Sequence, residues 1–419
     1  MPQRVVVVGA GFGGLNAVKA FRGCPDVEVT VVERNNHHCF QALLYQVASA
    51  GLNASEIASP VRTIFRHQPN VSVVMGSLTG VDYAERVIEV DGGRLRLPYD
   101  YLVLAVGVRA GYFGHADWGL YALPLKGLAD GLKIRERVLL AFERAETEED
   151  PAVRERLTSL VVVGGGPTGV EMSGAFAELC RHVLRWDFRR VRPERARVIL
   201  IEGGPRLLPF LPERLSHKAR QHLERLGVEV LVAERVKDIR AGRILTDQRE
   251  IATENVVWAA GVEPQEVTPG LGTRDRQGRL LVGEDLRLQG QEHVYCIGDM
   301  ASFQQDGAPL PGLAPVAIQE GRHAAANILR QIRGEGTTAF HFHDPVTVAT
   351  IGRSAAVARV GGVELSGLPA WLVWLFTHLL RIVDFQNRLL VLARWTWAYF
   401  AWKWGVRLII GVERTPPRS

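Results

Sequence analysis

Hydrophobic residues in this chain come in short β-branched runs, each released into small or polar residues, and the grouping recurs. Residues 5–8 are four consecutive valines, and an apolar run without alternation predicts a strand buried on both faces. A helical pattern follows over 15–21, and a second β-branched run over 27–32 ends on Glu33. Residues 40–50 predict a helix, while 71–75 and 87–90 alternate and read as antiparallel strands. Residues 102–107 form another buried strand, ending on Gly107. From Leu160 the opening order returns: buried strand, helix through Cys180, then a strand over 198–201 ending on Glu202. Residues 256–261 repeat the pattern of 102–107, and 293–300 make a short strand ending in Gly298-Asp299-Met300. A last helix of this part is predicted over 322–332.

The residues between strand and helix carry the chemistry. They read Gly9-x-Gly11-x-x-Gly14 in the first unit and Gly164-x-Gly166-x-x-Gly169 in the second. The first glycine permits a tight turn, the second lets backbone approach a pyrophosphate, and the third lets helix pack close on strand. The helix N-terminus offers free N–H groups and positive dipole to the diphosphate. Glu33 and Glu202, at the ends of the second strands, can accept hydrogen bonds from ribose hydroxyls. A repeat of strand, glycine turn, helix and acid predicts two dinucleotide sites, hence an α/β fold with two Rossmann-like domains. Asp299 ends a strand where ligands bind in open α/β sheets.

Composition adds limits. At 419 residues, 47% hydrophobic and 23% charged, the chain is an ordinary globular one with room for two or three domains. Its four cysteines, Cys24, Cys39, Cys180 and Cys296, include no C-x-x-C pair, which suggests a reducing compartment and no structural metal. The first strand starts within a few residues of Met1, so neither signal nor transit peptide is expected. No nucleic-acid partner is indicated. The net charge of +5 equals the excess of basic over acidic residues from Pro369 onward, so the tail sets it. An arginine-rich insert over 181–197 reads most simply as a solvated loop, with membrane or partner contact as the alternative.

The tail changes character. Trp371, Trp374, Trp395, Trp397, Trp402 and Trp404 cluster there. At about 100° per residue, Thr377, His378, Arg381 and Asp384 share one sector of a first helix, and Trp374 falls among them. Leu372, Leu375, Phe376, Leu379, Ile382 and Val383 fill the opposite side. A second helix, over 389–410, is less clean, with Arg394 and Lys403 on opposite sides. No stretch reaches the roughly 20 uncharged apolar residues of a membrane span. Tryptophan with Lys and Arg suits a helix lying in the interface of a membrane; a dimer contact or packing on its own domain is the plainer alternative.

Four stretches together resemble the type II NADH:quinone oxidoreductases, within the two-dinucleotide-binding-domain flavoprotein reductases. They are Phe40-Gln-Ala-Leu-Leu-Tyr-Gln-Val-Ala48, Val162-Val-Gly-Gly-Gly-Pro-Thr-Gly-Val-Glu171, Ala314-Pro-Val-Ala-Ile-Gln-Glu-Gly321 and Ala349-Thr-Ile-Gly-Arg353. The resemblance implies an FAD-binding domain over 1–112 and 261–335, an NADH-binding domain over 113–260, and a membrane-association region over 336–419. Non-covalent FAD would be held by Gly9, Gly11, Phe12, Gly13, Gly14, Glu33, Arg34, Gln46, Val81, Ala105, Gly107, Asp299 and Ala317. NADH, as substrate, would be held by Gly164, Gly166, Pro167, Thr168, Gly169, Glu171, Glu202, Ala260 and Gly261. Pro315, Ala317 and Gln319 would line the quinone site, and Glu171 and Gln319 would be the catalytic side chains. Two positions depart from the family pattern: Ala42 stands where proline is common, and Pro315 where many members have glutamine. Proline cannot donate to a quinone carbonyl, so Gln319 or backbone would have to.

What the resemblance implies is ping-pong transfer of two electrons from NADH through flavin to a membrane quinone, without proton pumping. It further implies a peripheral enzyme on the anionic cytoplasmic face of the cell membrane, and it admits a homodimer. Two other readings compete. One is an NADH oxidase or peroxidase using Cys39 as redox thiol; the other is an NADH-responsive regulatory flavoprotein.

Overall fold

The computed structural model describes residues 1–265, 270–344, 346–383, 385–401 and 406–409. They form two compact units. One comprises Met1–Cys39, Ser59–Arg109 and residues 262–344; the other comprises Phe40–Ala58, Ala110–Gly261 and the described residues from 346 onward.

The first unit is built on a five-stranded parallel sheet in the order Val294–Cys296, Tyr101–Leu104, Gln3–Val8, Val27–Glu33, Val71–Met75. Val5 to Val8 are buried on both sides, so the valine run sits centrally, as its lack of alternation requires. Val71–Met75 differs from expectation. It pairs parallel with Val27–Glu33, and it alternates because it is the sheet's half-exposed edge. The antiparallel part is Leu78–Asp82, Val87–Val90 and Leu95–Pro98. Helix Phe12–Ala20 packs on helix Ala314–Ile332, which begins well before Arg322. Pro315 causes no break because it stands in the first helical turn, where no N–H partner is needed. The packing is close: a Cβ on Gly321 would lie 2.2 Å from the Gly13 carbonyl oxygen.

The second unit repeats the plan in the order Ala122–Pro124, Asn255–Trp258, Leu160–Val163, Val198–Glu202, Val228–Val232, all parallel. Helix Pro167–Glu178 follows the second glycine turn and is buried from Gly169 onward. Against it lies an antiparallel sheet of Val346–Thr350, Ala356–Val360 and Val363–Gly367. The predicted helix over 40–50 is shorter, a 3-10 turn Gln41–Leu43 running into helix Leu44–Ala48, and it packs on Pro167–Glu178.

The tail forms helices Leu368–Arg381 and Phe385–Ala401. The first is turned with its polar sector inward. Ala370, Trp374, His378 and the following Ile382 are buried, whereas Leu368, Leu372, Phe376 and Leu380 are exposed, Leu380 to 66%. Ring contacts to other elements go with this orientation: Trp374 meets Trp395 at 5.0 Å and His378 stands edge-on to Phe40 at 6.1 Å. In the second helix Val391 is buried while Leu389, Leu390, Leu392 and Trp397 are exposed. Its Arg394 pairs with the buried Glu56, and Trp395 Nε1 donates to Gln46 Oε1 at 2.8 Å. No helix among the described residues is long and apolar enough to cross a membrane. The expectations for Asp384, Trp402, Lys403, Trp404 and the end of the second helix lie outside the described residues.

Candidate functional site

The two glycine turns are built alike. Each strand runs parallel to two neighbours, so the chain leaves the sheet between two strand ends and must turn at once. Gly9 does so at φ +102° and Gly164 at φ +116°, and neither could carry a side chain. A Cβ on Gly9 would lie 2.3 Å from the Ala105 oxygen, and one on Gly164 2.6 Å from the Ala259 oxygen. On Gly14 and Gly169 a Cβ would lie 1.8 Å from the carbonyl oxygen of Gly9 and Gly164 respectively. By contrast, Gly11 and Gly166 face open space. That combination leaves the turn rigid and its outer rim bare, which suits close approach by a diphosphate.

The two acids brace the turns. Glu33 accepts from the Ala10 N–H at 2.6 Å and the Asn35 N–H at 3.1 Å. Glu202 accepts from the Gly165 N–H at 2.6 Å and the Gly204 N–H at 2.5 Å. Each carboxylate oxygen keeps a further lone pair for a ribose hydroxyl. Arg206 is turned away from such a role, since its two terminal nitrogens donate to the Leu211 and Pro209 carbonyls at 2.7 Å each.

Of the expected FAD residues, the first unit holds Gly9, Gly11, Phe12, Gly13, Gly14, Glu33, Arg34, Val81, Ala105, Gly107, Asp299 and Ala317, while Gln46 belongs to the second unit. Val81 packs into the apolar core, and Arg34 donates to Gln265 Oε1 at 3.3 Å. Asp299 lies within a 3-10 turn, Gly298–Met300, and its carboxylate lies 3.1 Å from where a Gly312 Cβ would stand. His38, in the polar stretch after Glu33, carries no motif that marks it in the sequence. It is 2% exposed, stands edge-on to Phe12 at 5.4 Å, and donates from Nδ1 to the Ala10 carbonyl at 2.7 Å. Burial pushes its pKa down to about 4, so the ring is neutral and Nε2 is a buried acceptor without a hydrogen-bond partner among the described residues. A second missed group is Glu320, which takes the Gly298 N–H at 2.5 Å and is pushed by burial up to about 7.

The expected NADH residues, Gly164, Gly166, Pro167, Thr168, Gly169, Glu171, Glu202, Ala260 and Gly261, all lie in the second unit. Glu171 is 8% exposed and accepts from the Thr350 N–H at 3.4 Å, and burial pushes its carboxyl up to about 8. An acid in such surroundings favours its protonated form at neutral pH. One helical turn pair further on, Glu178 is raised to about 7 by burial and accepts from the Arg353 N–H at 2.5 Å. Pro315, Ala317 and Gln319 share the start of helix Ala314–Ile332. Gln319 is engaged at both ends of its amide by the His343 backbone, at 2.8 and 3.1 Å.

The sequence pattern of the pyridine nucleotide-disulphide oxidoreductase family matches residues 3–321. The type II NADH:quinone oxidoreductase Ndh of Mycobacterium tuberculosis is 38% identical over 418 residues, 96% of this chain and 89% of that protein. The chain belongs to the type II NADH:quinone oxidoreductases. The family's Staphylococcus aureus member is 27% identical over 383 residues, covering 88% of this chain and 92% of its own. The structure of NDH2 from Plasmodium falciparum in complex with NADH shares the fold, with a TM-score of 0.87 at 19% identity over 98% of this chain and 100% of that one.

As a type II NADH:quinone oxidoreductase, the enzyme takes electrons from NADH and delivers them through FAD to a quinone. Bound FAD supplies the hydride acceptor and the two-electron carrier. The residues fit it: a rigid glycine cradle open at Gly11, a braced acid, and the orphan Nε2 of His38 beside Phe12. Thiol chemistry is not supported. Burial pushes Cys39 up to about 12, so it carries no thiolate at neutral pH.

Proposed function

We propose that this oxidoreductase reaches its quinone from the surface of the cytoplasmic membrane leaflet, docked by the outward apolar face of its tail helices. The observation that carries the reading is the inversion of helix Leu368–Arg381, with Leu368, Leu372, Phe376 and Leu380 exposed while Trp374 and His378 are buried. A helix packed only on its own domain would bury the leucines. Exposed contiguous apolar surface of this kind marks a membrane or protein contact, and the quinone acceptor favours the membrane. Leu389, Leu390, Leu392 and Trp397 extend the apolar exposure along the second helix.

The same proposal assigns roles to the site residues. Gly9 to Gly14 with Glu33 and Asp299 hold FAD, and Gly164 to Gly169 with Glu202 hold NADH. Glu171 is the acid that keeps a proton in the NADH-binding unit at neutral pH. Ala317 and the backbone of the helix start meet the quinone. Gln319 must leave its His343 contacts to donate there. Co-sedimentation with vesicles tests the docking. The triple variant Leu372→Ser, Phe376→Ser, Leu380→Ser should stay in solution where the parent protein pellets. If both pellet alike, the face belongs elsewhere; a second copy of the chain is the competing occupant, read from the oligomeric state of the parent and the variant.

A further inference from the structure

We infer that the arginine-rich residues 181–197 form a second membrane-contacting element, one that engages anionic phospholipid headgroups beside the tail; the inference rests on the docking reading above. The segment is not the solvated loop its composition suggests. Its backbone is pinned from below, where the Glu146 carboxylate accepts from the N–H groups of Arg189, Arg190 and Val191 at 2.8 to 3.1 Å. Val191, Pro193 and Ala196 are buried, and Phe188 packs on Phe142 with ring centroids 5.9 Å apart.

What the segment turns outward is basic and aromatic. Arg185, Arg189, Arg192 and Arg195 are exposed, and none makes an ion pair with a carboxylate among the described residues. Arg197, at the end of the segment, pairs by contrast with Glu229. Trp186 is 74% exposed, and the Arg185 guanidinium stands 4.4 Å from its ring centroid. An exposed indole beside unpaired guanidinium groups matches the boundary between headgroups and acyl chains, where the ring is half-dissolved and the cations meet phosphates.

The segment is also joined to the tail. Arg407, just beyond the tail helices, pairs with Asp187 next to Trp186, and Leu408 beside it is 66% exposed. The Asp187 carboxylate is thereby neutralised, which removes an acid from the basic surface. Apolar burial by the tail would then supply binding to any bilayer, and the arginines would supply the preference for an anionic one.

The test uses the holoenzyme with vesicles of phosphatidylcholine alone and of phosphatidylcholine mixed with phosphatidylglycerol. The variant Arg185→Gln, Arg189→Gln, Arg192→Gln, Arg195→Gln should bind the mixed vesicles at least ~10-fold more weakly than the parent, since each basic residue near an anionic surface contributes roughly fivefold. Its binding to phosphatidylcholine should be unchanged, and so should its flavin content. The pair Arg189→Gln, Arg192→Gln should show a loss of at least ~5-fold and serves if the quadruple variant misfolds. Trp186→Ala should weaken binding to both vesicles. Parent-like binding of the arginine variants to mixed vesicles overturns the inference. A parent indifferent to anionic lipid overturns it too, while leaving the tail reading intact. Failure of the parent to bind either vesicle removes both.

Discussion

Glu33 and Glu202 hold their glycine turns with hydrogen bonds of 2.6 Å to the backbone amides of Ala10 and Gly165, so each acid shapes the site it serves. For Glu202 this has a consequence for nucleotide choice. In its proposed role the carboxylate meets the adenosine ribose, and a 2′-phosphate there would meet a like charge, which can cost several kcal/mol. Both Arg206 terminal nitrogens donate to backbone carbonyls rather than to the Glu202 carboxylate. NADH should be preferred over NADPH by at least ~10-fold in kcat/KM, and Glu202→Ala should narrow the ratio; equal constants in the parent would contradict the assignment. Asp299→Ala should yield folded protein with much less bound FAD, read from the flavin absorbance per chain. Glu171 offers a test by pH. Burial raises its carboxyl from 4.5 to about 8, so between those values the unfolded chain has lost a proton that the native chain keeps. Native stability therefore falls as pH rises through that window. Glu171→Gln removes this dependence and should be more stable than the parent by an amount growing from near zero at pH 5 to on the order of 1–3 kcal/mol at pH 8. Melting curves at the two pH values check it, and a constant difference would count against a buried neutral acid.

At the scale of elements, the glycine turns were legible because their spacing has one geometric use between a buried strand and a helix. Other elements had signals that two structures share. Val71–Met75 alternates like an antiparallel strand because the edge of a parallel sheet also exposes one face. Helix Ala314–Ile332 hid its start behind Pro311 and Pro315, although proline is at home in a first helical turn. The burial of His38 was not legible, since nothing local says that the chain above it will bury it. The wheel of the first tail helix separated a polar from an apolar side, but only the burial of Trp374 and His378, the latter edge-on to Phe40, reveals which side faces the protein. The contact between helix Pro167–Glu178 and the chain after Val346–Thr350 was invisible in sequence. It is tight enough to predict from. A Cβ on Gly174 would lie 2.9 Å from the Ile351 carbonyl oxygen, so Gly174→Ala should cost about 1–3 kcal/mol of stability through overpacking. A melting temperature equal to the parent's would show that the backbone there gives way freely.

For the whole molecule, the proposal divides catalysis and delivery between different residues: the glycine turns and their acids would serve electron transfer from NADH to flavin, and the outward leucines and aromatics of the tail would serve docking. A protein stripped of its apolar face should accordingly remain a competent NADH dehydrogenase in water while losing access to an acceptor dissolved in lipid. The most direct measurement compares two acceptors for the parent and for Leu372→Ser, Phe376→Ser, Leu380→Ser: a water-soluble short-chain quinone, and a long-chain quinone confined to phospholipid vesicles. The account predicts that the variant keeps the parent's rate with the soluble quinone and loses at least ~10-fold with the vesicle quinone, since burial of each such side chain contributes roughly 1.5–3 kcal/mol. Equal rates with the vesicle quinone would contradict it.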